Sequence, residues 1–197
     1  MSIGIVGAGS VGSGIATMLA RSGIEATIVN RRGPAALGPL IASLAPQIAQ
    51  ASREDVLASD IVFLAVPWGR LGEALAGVGD WKGRVLVDAT NPLDNFRPVD
   101  LGGLTSSEAV AKLAPGARVV KAFNHLLPHV LAGDPGAEGG RRVLFYAGDD
   151  AEAKDAVADL ITRTGFYGVD LGNLRDGGRL LEYPGGPLPA HNFVCFD

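Results

Sequence analysis

The sequence predicts one α/β domain built on a doubly wound, mostly parallel sheet of about seven or eight strands. Short aliphatic runs recur along the chain, and stretches with helical spacing separate them, which implies parallel pairing through right-handed crossovers. The first run leads into a glycine-rich turn, and 47% of the 197 residues are hydrophobic. We therefore expect a single Rossmann-like domain over residues 1–197 with a short C-terminal helix and an irregular tail at about 183–197.

The first strand and the glycine turn after it form the most informative stretch. A buried-strand run at 2–6 leads into Gly7-Ala8-Gly9-Ser10-Val11-Gly12, which has the spacing G-x-G-x-x-G. Gly7 allows a tight turn, Gly9 lets a pyrophosphate approach the backbone, and Gly12 lets the helix pack closely. A helix is indicated by apolar residues at i, i+4, i+7 and i+8, namely Val11, Ile15, Met18 and Leu19. This context favours dinucleotide binding over a simple glycine-rich connection, which stays open as the alternative.

The end of the second predicted strand indicates which dinucleotide fits. An Asp or Glu at this point would bind the ribose 2′-hydroxyl of NAD, but the sequence has Asn30 followed by Arg31 and Arg32. The amide of Asn30 can donate to a 2′-phosphate, and a guanidinium offers charge-assisted contacts to it. The three residues therefore favour NADP(H) over NAD(H), the alternative being that the arginines are a solvated pair at a strand end.

Further loops are predicted at the same edge of the sheet. The strand at 60–66 ends at Pro67, the strand at 84–88 leads into a long polar loop, and the strand at 118–123 is followed by Asn124 and His125. Ligands of open α/β sheets bind beyond the carboxyl ends of the strands. Asn124 and His125 are therefore candidate substrate contacts, although a histidine that is merely hydrogen-bonded at a strand end fits as well.

Composition argues against several other classes of protein. The net charge of −4 without a basic stripe gives no footprint for nucleic acid, and no apolar stretch reaches the length of a membrane span. Cys195 is the single cysteine, so an intramolecular disulfide is excluded, and no cluster of metal ligands is evident. With no leader before the first strand, we expect a cytoplasmic protein without a metal site or a membrane partner.

Several short segments together resemble the family of F420-dependent NADP oxidoreductases, small NADP-binding Rossmann proteins that include the NADPH domain of STEAP-like ferric reductases. The resemblance extends from the first strand to about Leu181. The segments that carry it are Gly7 to Gly12, Asn30-Arg31-Arg32, Ala65-Val66-Pro67-Trp68, Asp88-Ala89-Thr90-Asn91-Pro92, Val120-Lys121-Ala122-Phe123-Asn124, Ala147-Gly148-Asp149-Asp150 and Asp170-Leu171-Gly172.

The resemblance implies an oxidoreductase that transfers hydride between NADPH and a flavin, deazaflavin F420 or a similar small acceptor. It places Ser10 and Val11 with the glycines at the pyrophosphate and Asn30 to Arg32 at the 2′-phosphate. It also places Ala65 to Trp68 along the cofactor, and Ala89 and Asn91 beside the nicotinamide.

A redox sensor and a hydroxyacid-type dehydrogenase are the alternative functions. An NADP(H)-binding redox sensor without turnover would show the same cofactor residues. A hydroxyacid-type dehydrogenase is disfavoured because the large helical substrate domain of such enzymes has no place in 197 residues. The resemblance and the apolar tail together suggest a homodimer.

Overall fold

A sheet of ten strands runs through the structure, a computed structural model that describes residues 1–196. The strands within these residues are β1 (Ile3–Val6), β2 (Ala26–Val29), β3 (Ile48–Gln50), β4 (Ile61–Leu64), β5 (Val85–Asp88), β6 (Leu93–Asp94), β7 (Arg97–Pro98), β8 (Arg118–Ala122), β9 (Gly136–Ala137), β10 (Gly140–Gly148), β11 (Tyr167–Asp170) and β12 (Val194–Cys195). The helices are α1 (Ser10–Arg21), α2 (Pro34–Leu44), α3 (Arg53–Leu57), α4 (Leu71–Leu75), α5 (Ser106–Leu113), α6 (Pro128–Ala132), α7 (Ala151–Arg163) and α8 (Gly177–Leu180), with a 3-10 turn at Trp68–Arg70.

The strand order confirms the predicted doubly wound fold. Eight strands within the described chain follow the order β11-β10-β8-β5-β4-β1-β2-β3, and β9 and β12 add to β10 at one side. Pairing along this order is parallel except between β8 and β10. The order reverses between β1 and β4, and in open α/β sheets that switch point is where ligands bind.

Alternate residues of the central strands pack into two hydrophobic cores, one on each face of the sheet. Ile5 and Phe63 belong to the core beneath α1, α2, α6 and α7. Val62 and Leu86 belong to the core beneath α3, α4 and α5, together with the fully buried Trp81. Because both faces are covered by helices, β1 and β4 are buried along their whole length and carry no polar side chain, as is typical of parallel sheets.

A buried ion pair joins β5 to β8 close to the ligand edge. The ammonium of Lys121 lies 3.1 Å from Oδ2 of Asp88, and both side chains are inaccessible to solvent. Asp88 also accepts from the hydroxyls of Thr90 and Ser107, at 2.6 Å each, and Lys121 donates to the carbonyl of Thr90. A buried pair is tolerated only when its remaining hydrogen-bonding capacity is met, and this network holds the turn after β5 in place.

Three parts of the fold differ from the sequence-based expectation or add to it. The long polar loop after β5 contains a small hairpin of β6 and β7, and Phe96 at its tip is 97% exposed. The sequence predicts that Pro39 and Pro46 break the helical segment after Gly33, because a proline inside a helix removes a backbone hydrogen bond, but α2 runs through Pro39 without a break and ends before Pro46. The tail is irregular apart from β12, which pairs with β10, and its last residue, Asp197, lies outside the described residues. Among residues 1–196, no helix is long and apolar enough to span a membrane.

Candidate functional site

A cavity of about 390 Å³ lies at the switch point between β1 and β4, where the sequence predicts the ligand. Its wall includes eight residues proposed for cofactor binding: Gly7, Gly9, Asn30, Arg31, Arg32, Ala65, Val66 and Pro67. Ser10, Val11 and Gly12 form the first turn of α1, directly after the cavity wall at Gly9. The loops after β1, β2 and β4 therefore meet at one cavity, whereas the loops after β5 and β8, expected at the same edge, do not line it.

Two glycines of the turn are required by close backbone contacts. Gly7 has φ +107°, and a Cβ there would overlap the carbonyl of Ala65. A Cβ on Gly12 would overlap the carbonyl oxygen of Gly7. Because neither neighbour is a flexible side chain, the helix can begin this close to β1 and β4 only without side chains at both positions.

Gly9 differs from these two glycines because nothing lies within 4 Å of the place where its Cβ would be. It is the N-cap of α1, no side chain caps the helix there, and no acidic residue occupies the first turn. The first N–H groups and the positive end of the helix dipole thus face open space. A phosphate can fill that space and accept from the free N–H groups.

The segment after β2 presents two arginines and an amide whose hydrogen-bonding capacity is unused. Arg31 and Arg32 are exposed, and neither has an ion-pair or hydrogen-bond partner among residues 1–196. Both polar atoms of the Asn30 side chain are buried without a partner in the same part of the chain. Since buried polar groups are normally satisfied, an orphaned amide beside two free guanidiniums fits a site that is completed by an anionic ligand.

The loop after β4 forms the opposite side of the cavity. Ala65 is buried, Val66 half-buried and Pro67 exposed, and all three line the cavity. Trp68 is half-buried and packs against the core beneath α3, α4 and α5 instead of lining the cavity. Trp68 directly follows Pro67, which lines the cavity, and its role along the cofactor stays a prediction.

Ala89, Asn91 and Asn124 form a second group at the next strand ends, outside the cavity wall. Asn124 donates through Nδ2 to Oδ1 of Asn91 at 2.9 Å and to the carbonyl of Leu181 at 2.6 Å. Its own Oδ1 is buried without a partner in the described residues. The amide pair links the loop after β5 to the end of β8, and the stretch after α8 covers it.

His125 lies deeper than a simple substrate contact would. The side chain is 2% exposed, Nε2 lies 3.3 Å from the carbonyl oxygen of Val143, and the ring lies 5.3 Å from that of Phe145. The backbone of Ala190 donates to the carbonyl of His125 at 2.7 Å, so the tail crosses over it. Burial lowers the pKa of His125 to about 4, and the hydrogen bond to Val143 opposes this shift only in part.

Three charged residues of the cavity wall were not identified from the sequence. Arg53 is the first residue of α3, Arg70 ends the 3-10 turn, and Glu73 lies in the first turn of α4. Arg70 is the one of the three that the sequence could have indicated, because it comes directly after the loop at the end of β4 and ligands bind beyond strand ends. Arg53 and Glu73 lie on two separate short helices that Arg53 connects by donating to backbone carbonyls at the end of α4, a contact that spacing in the sequence does not reveal.

Comparison with known proteins identifies relatives of two kinds. The profile of the family described as NADP oxidoreductase, coenzyme F420-dependent, matches residues 2–92. Metalloreductase STEAP3 of Rattus norvegicus is 31% identical over 98% of this chain. The chain spans 40% of the length of the rat protein.

Solved structures with the same fold cover nearly the whole chain. A hypothetical protein, SMa0349, from Sinorhizobium meliloti is 42% identical with a TM-score of 0.94, over 99% of this chain and 96% of that one. A putative F420-dependent NADP-reductase from Arthrobacter sp. FB24 is 31% identical with a TM-score of 0.75, over 92% of this chain and 90% of that one.

Replacing Arg31 tests the choice of cofactor. In Arg31→Ala, we expect the Kd of NADPH to rise about ten- to a hundredfold, because a charge-assisted contact to the 2′-phosphate is lost. The Kd of NADH should stay nearly constant, since NADH carries no such phosphate. Titration of both cofactors measures the two constants. The matched control is Arg175→Ala, which removes an exposed arginine that does not line the cavity; equal losses for both cofactors in Arg31→Ala would show a structural role.

Replacing His125 tests the consequence of its burial for stability. The unfolded chain takes up a proton at this histidine near pH 6.5, but the folded chain does so only near pH 4. Protonation of His125 in the unfolded chain therefore lowers the free energy of unfolding by about 3 kcal/mol as the pH falls from 6.5 to 4. Below pH 4 this histidine causes no further loss, because it is then protonated in both states. In His125→Gln, we expect this part of the pH dependence to disappear.

Denaturant unfolding of the wild type, His125→Gln and the exposed-site control His129→Gln at neutral pH and at about pH 4.5 measures the effect. The wild type and the control should lose more stability on acidification than His125→Gln does. If all three proteins lose stability to the same extent, His125 is protonated at the same pH in the folded and unfolded chains.

Proposed function

Because the chain belongs to the family of F420-dependent NADP oxidoreductases, we propose that it transfers hydride between NADPH and a flavin, deazaflavin F420 or a similar small acceptor. The family consists of NADP-dependent oxidoreductases, and its name describes both halves of such a reaction.

The observation that carries the proposal is the cavity between the glycine turn and the arginine pair. The first turn of α1 faces an open space beside Gly9, which suits a pyrophosphate. Arg31 and Arg32, which line the same cavity, have no partner within residues 1–196, which suits a 2′-phosphate. These two anion-binding features of one cavity match the pyrophosphate and the 2′-phosphate of NADP(H).

The chain has few chemical tasks in such a reaction. The bound nicotinamide supplies the hydride, two electrons with one proton, while the acceptor takes up that hydride and, where its reduction requires one, a proton from water. The protein has to bind both molecules, align their rings and exclude side reactions. Ala65, Val66 and Pro67 provide an apolar wall beside the cavity for this purpose.

The amide pair of Asn91 and Asn124 supports placing the nicotinamide end at the loops after β5 and β8. Asn124 is held by the carbonyl of Leu181, and the peptide of Thr90 is held by Lys121. A pair fixed from both sides gives the reaction region a rigid polar border, which favours one orientation of a bound ring. We keep Asn124 and His125 as proposed contacts of the acceptor region, with His125 as the more deeply buried of the two.

Three further expectations belong to this proposal. We expect residues 1–197 to act as a single NADP-binding domain, and we expect a cytoplasmic location, in keeping with a single cysteine. A homodimer is supported by apolar side chains exposed near the C-terminus, namely Leu180, Tyr183, Phe193 and Phe196.

An acceptor panel tests the reaction. The protein is incubated with NADPH and, in turn, with F420, FMN, FAD and a small quinone, and the loss of NADPH absorbance is followed. We expect oxidation of NADPH that depends on the protein with at least one flavin or deazaflavin. Silence with every acceptor would contradict the enzymatic proposal, and tight binding of NADPH together with silence would favour a redox sensor.

Gly9→Ala provides the matched control for the panel. A methyl group at this position meets no atom within 4 Å, and Gly9 has φ −79°, so the substitution leaves the fold intact. It fills the space proposed for the pyrophosphate, so the Kd of NADPH should rise at least about tenfold, or about 1.4 kcal/mol. A Kd of NADPH that is unchanged in Gly9→Ala would mean that the pyrophosphate binds elsewhere.

A further inference from the structure

An ion pair between Arg70 and Glu73 lies in the wall of the cavity. Nη1 of Arg70 lies 3.1 Å from Oε2 of Glu73, and the two side chains are 55% and 54% exposed. Both residues line the same cavity as Arg31 and Arg32. An acidic side chain in a cavity suited to phosphates requires an explanation, because a carboxylate there opposes the binding of an anion.

We propose that Glu73 is an internal counter-ion of Arg70, and that the 2′-phosphate of NADP(H) displaces it and takes Arg70 as a further cationic contact. This inference rests on the proposed binding of NADP(H) and extends it. Arg70 becomes a determinant of specificity for the phosphorylated cofactor, and Glu73 sets the affinity by competing with the phosphate for Arg70.

The other cavity-lining arginines differ from Arg70 in their engagement. Arg31 and Arg32 have no partner in the described chain. Arg53 is committed, since its Nη2 donates to the backbone carbonyls of Glu73, Ala74 and Ala76 where α4 ends. Arg53 is therefore occupied in fixing α4. Arg70 is the intermediate case, held by one exposed carboxylate that another anion can replace.

Charge and exposure make this replacement favourable. An ion pair between exposed side chains is weak because water screens it and two flexible side chains must be ordered. A phosphate monoester carries roughly two negative charges near neutral pH, against one for a carboxylate, and a guanidinium can bind it through two parallel hydrogen bonds. The phosphate is also fixed by the rest of the bound cofactor, so its local concentration beside Arg70 is high.

The arrangement along the chain keeps both partners within reach of the cavity. Arg70 ends the 3-10 turn that follows Pro67, and Glu73 follows three residues later in α4, one turn along the same helical stretch. The spacing lets Glu73 hold Arg70 beside the cavity when no cofactor is bound. The guanidinium is thus kept near the position in which the phosphate would meet it.

A double-mutant cycle tests the inference through binding alone. The Kd values of NADPH and NADH are measured by titration for the wild type, Arg70→Gln, Glu73→Gln and the double variant, at low ionic strength. We expect Arg70→Gln to raise the Kd of NADPH about five- to twentyfold and Glu73→Gln to lower it about two- to fivefold. The Kd of NADH should change by less than about twofold in every variant.

The double variant separates displacement from simple repulsion. If Glu73 acts by occupying Arg70, the double variant binds NADPH as Arg70→Gln does, because there is no guanidinium left to release. If the double variant binds NADPH more tightly than Arg70→Gln by the full factor seen for Glu73→Gln, then Glu73 repels the phosphate directly and the displacement is overturned.

A second ion pair of the same kind provides the control. Arg163 and Asp159 on α7 are separated by 3.6 Å and are 48% and 63% exposed, and neither lines the cavity. Arg163→Gln and Asp159→Asn should leave both Kd values within about twofold of the wild type. The inference is overturned if Glu73→Gln does not change NADPH affinity or shifts both cofactors equally. A wild type that fails to bind NADPH overturns the proposed function itself, which is a distinct outcome.

Discussion

The contact between the start of α1 and the ends of β1 and β4 is the constraint on which the rest of the site depends. Gly12 lies against the carbonyl of Gly7, and Gly7 lies against the carbonyl of Ala65, with no space for a Cβ at either glycine. This backbone packing brings the helix N-terminus down to the switch point of the sheet. The open space beside Gly9, the cavity and the arginines around it all take their positions from that contact.

Two kinds of electrostatic arrangement divide the crevice. Around the cavity, Arg31 and Arg32 are exposed without a partner in the described chain and Arg70 is held by one exposed carboxylate, which suits the reversible binding of a charged ligand. Arg53 alone of the cavity-lining arginines is fixed by several backbone carbonyls. Around the loops after β5 and β8, the charges of Asp88 and Lys121 are buried and paired, and the amides of Asn91 and Asn124 are hydrogen-bonded to each other. The cavity therefore suits the binding of an anion, whereas the loops after β5 and β8 are held rigid by their buried polar contacts.

Sequence alone predicted the parts of the site that depend on local geometry. The glycine spacing and the Asn30-Arg31-Arg32 segment could be interpreted because each directly follows a strand, where the backbone must turn toward the ligand edge. The doubly wound, mostly parallel sheet followed from the alternation of strands and helices, which allows few topologies, but the order of the strands did not.

The features that escaped prediction depend on contacts between distant segments. Glu73 lines the cavity from α4, whose end is held by Arg53 of α3, and Asn124 is covered because Leu181 folds back over it. The helix α2 continues through Pro39, where propensity predicts a break, because the sheet on which α2 packs supports its position. Local propensity does not contain these long-range contacts.

A crystal structure of the protein with bound NADP⁺ tests the central claim most directly. The account predicts that the pyrophosphate lies beside Gly9, within hydrogen-bonding distance of the N–H groups of Ser10 and Val11, with the 2′-phosphate between the guanidiniums that line the cavity. The nicotinamide should then point toward Ala89 and Asn91. A cofactor bound away from the first turn of α1, or one whose 2′-phosphate contacts no arginine, would contradict the account.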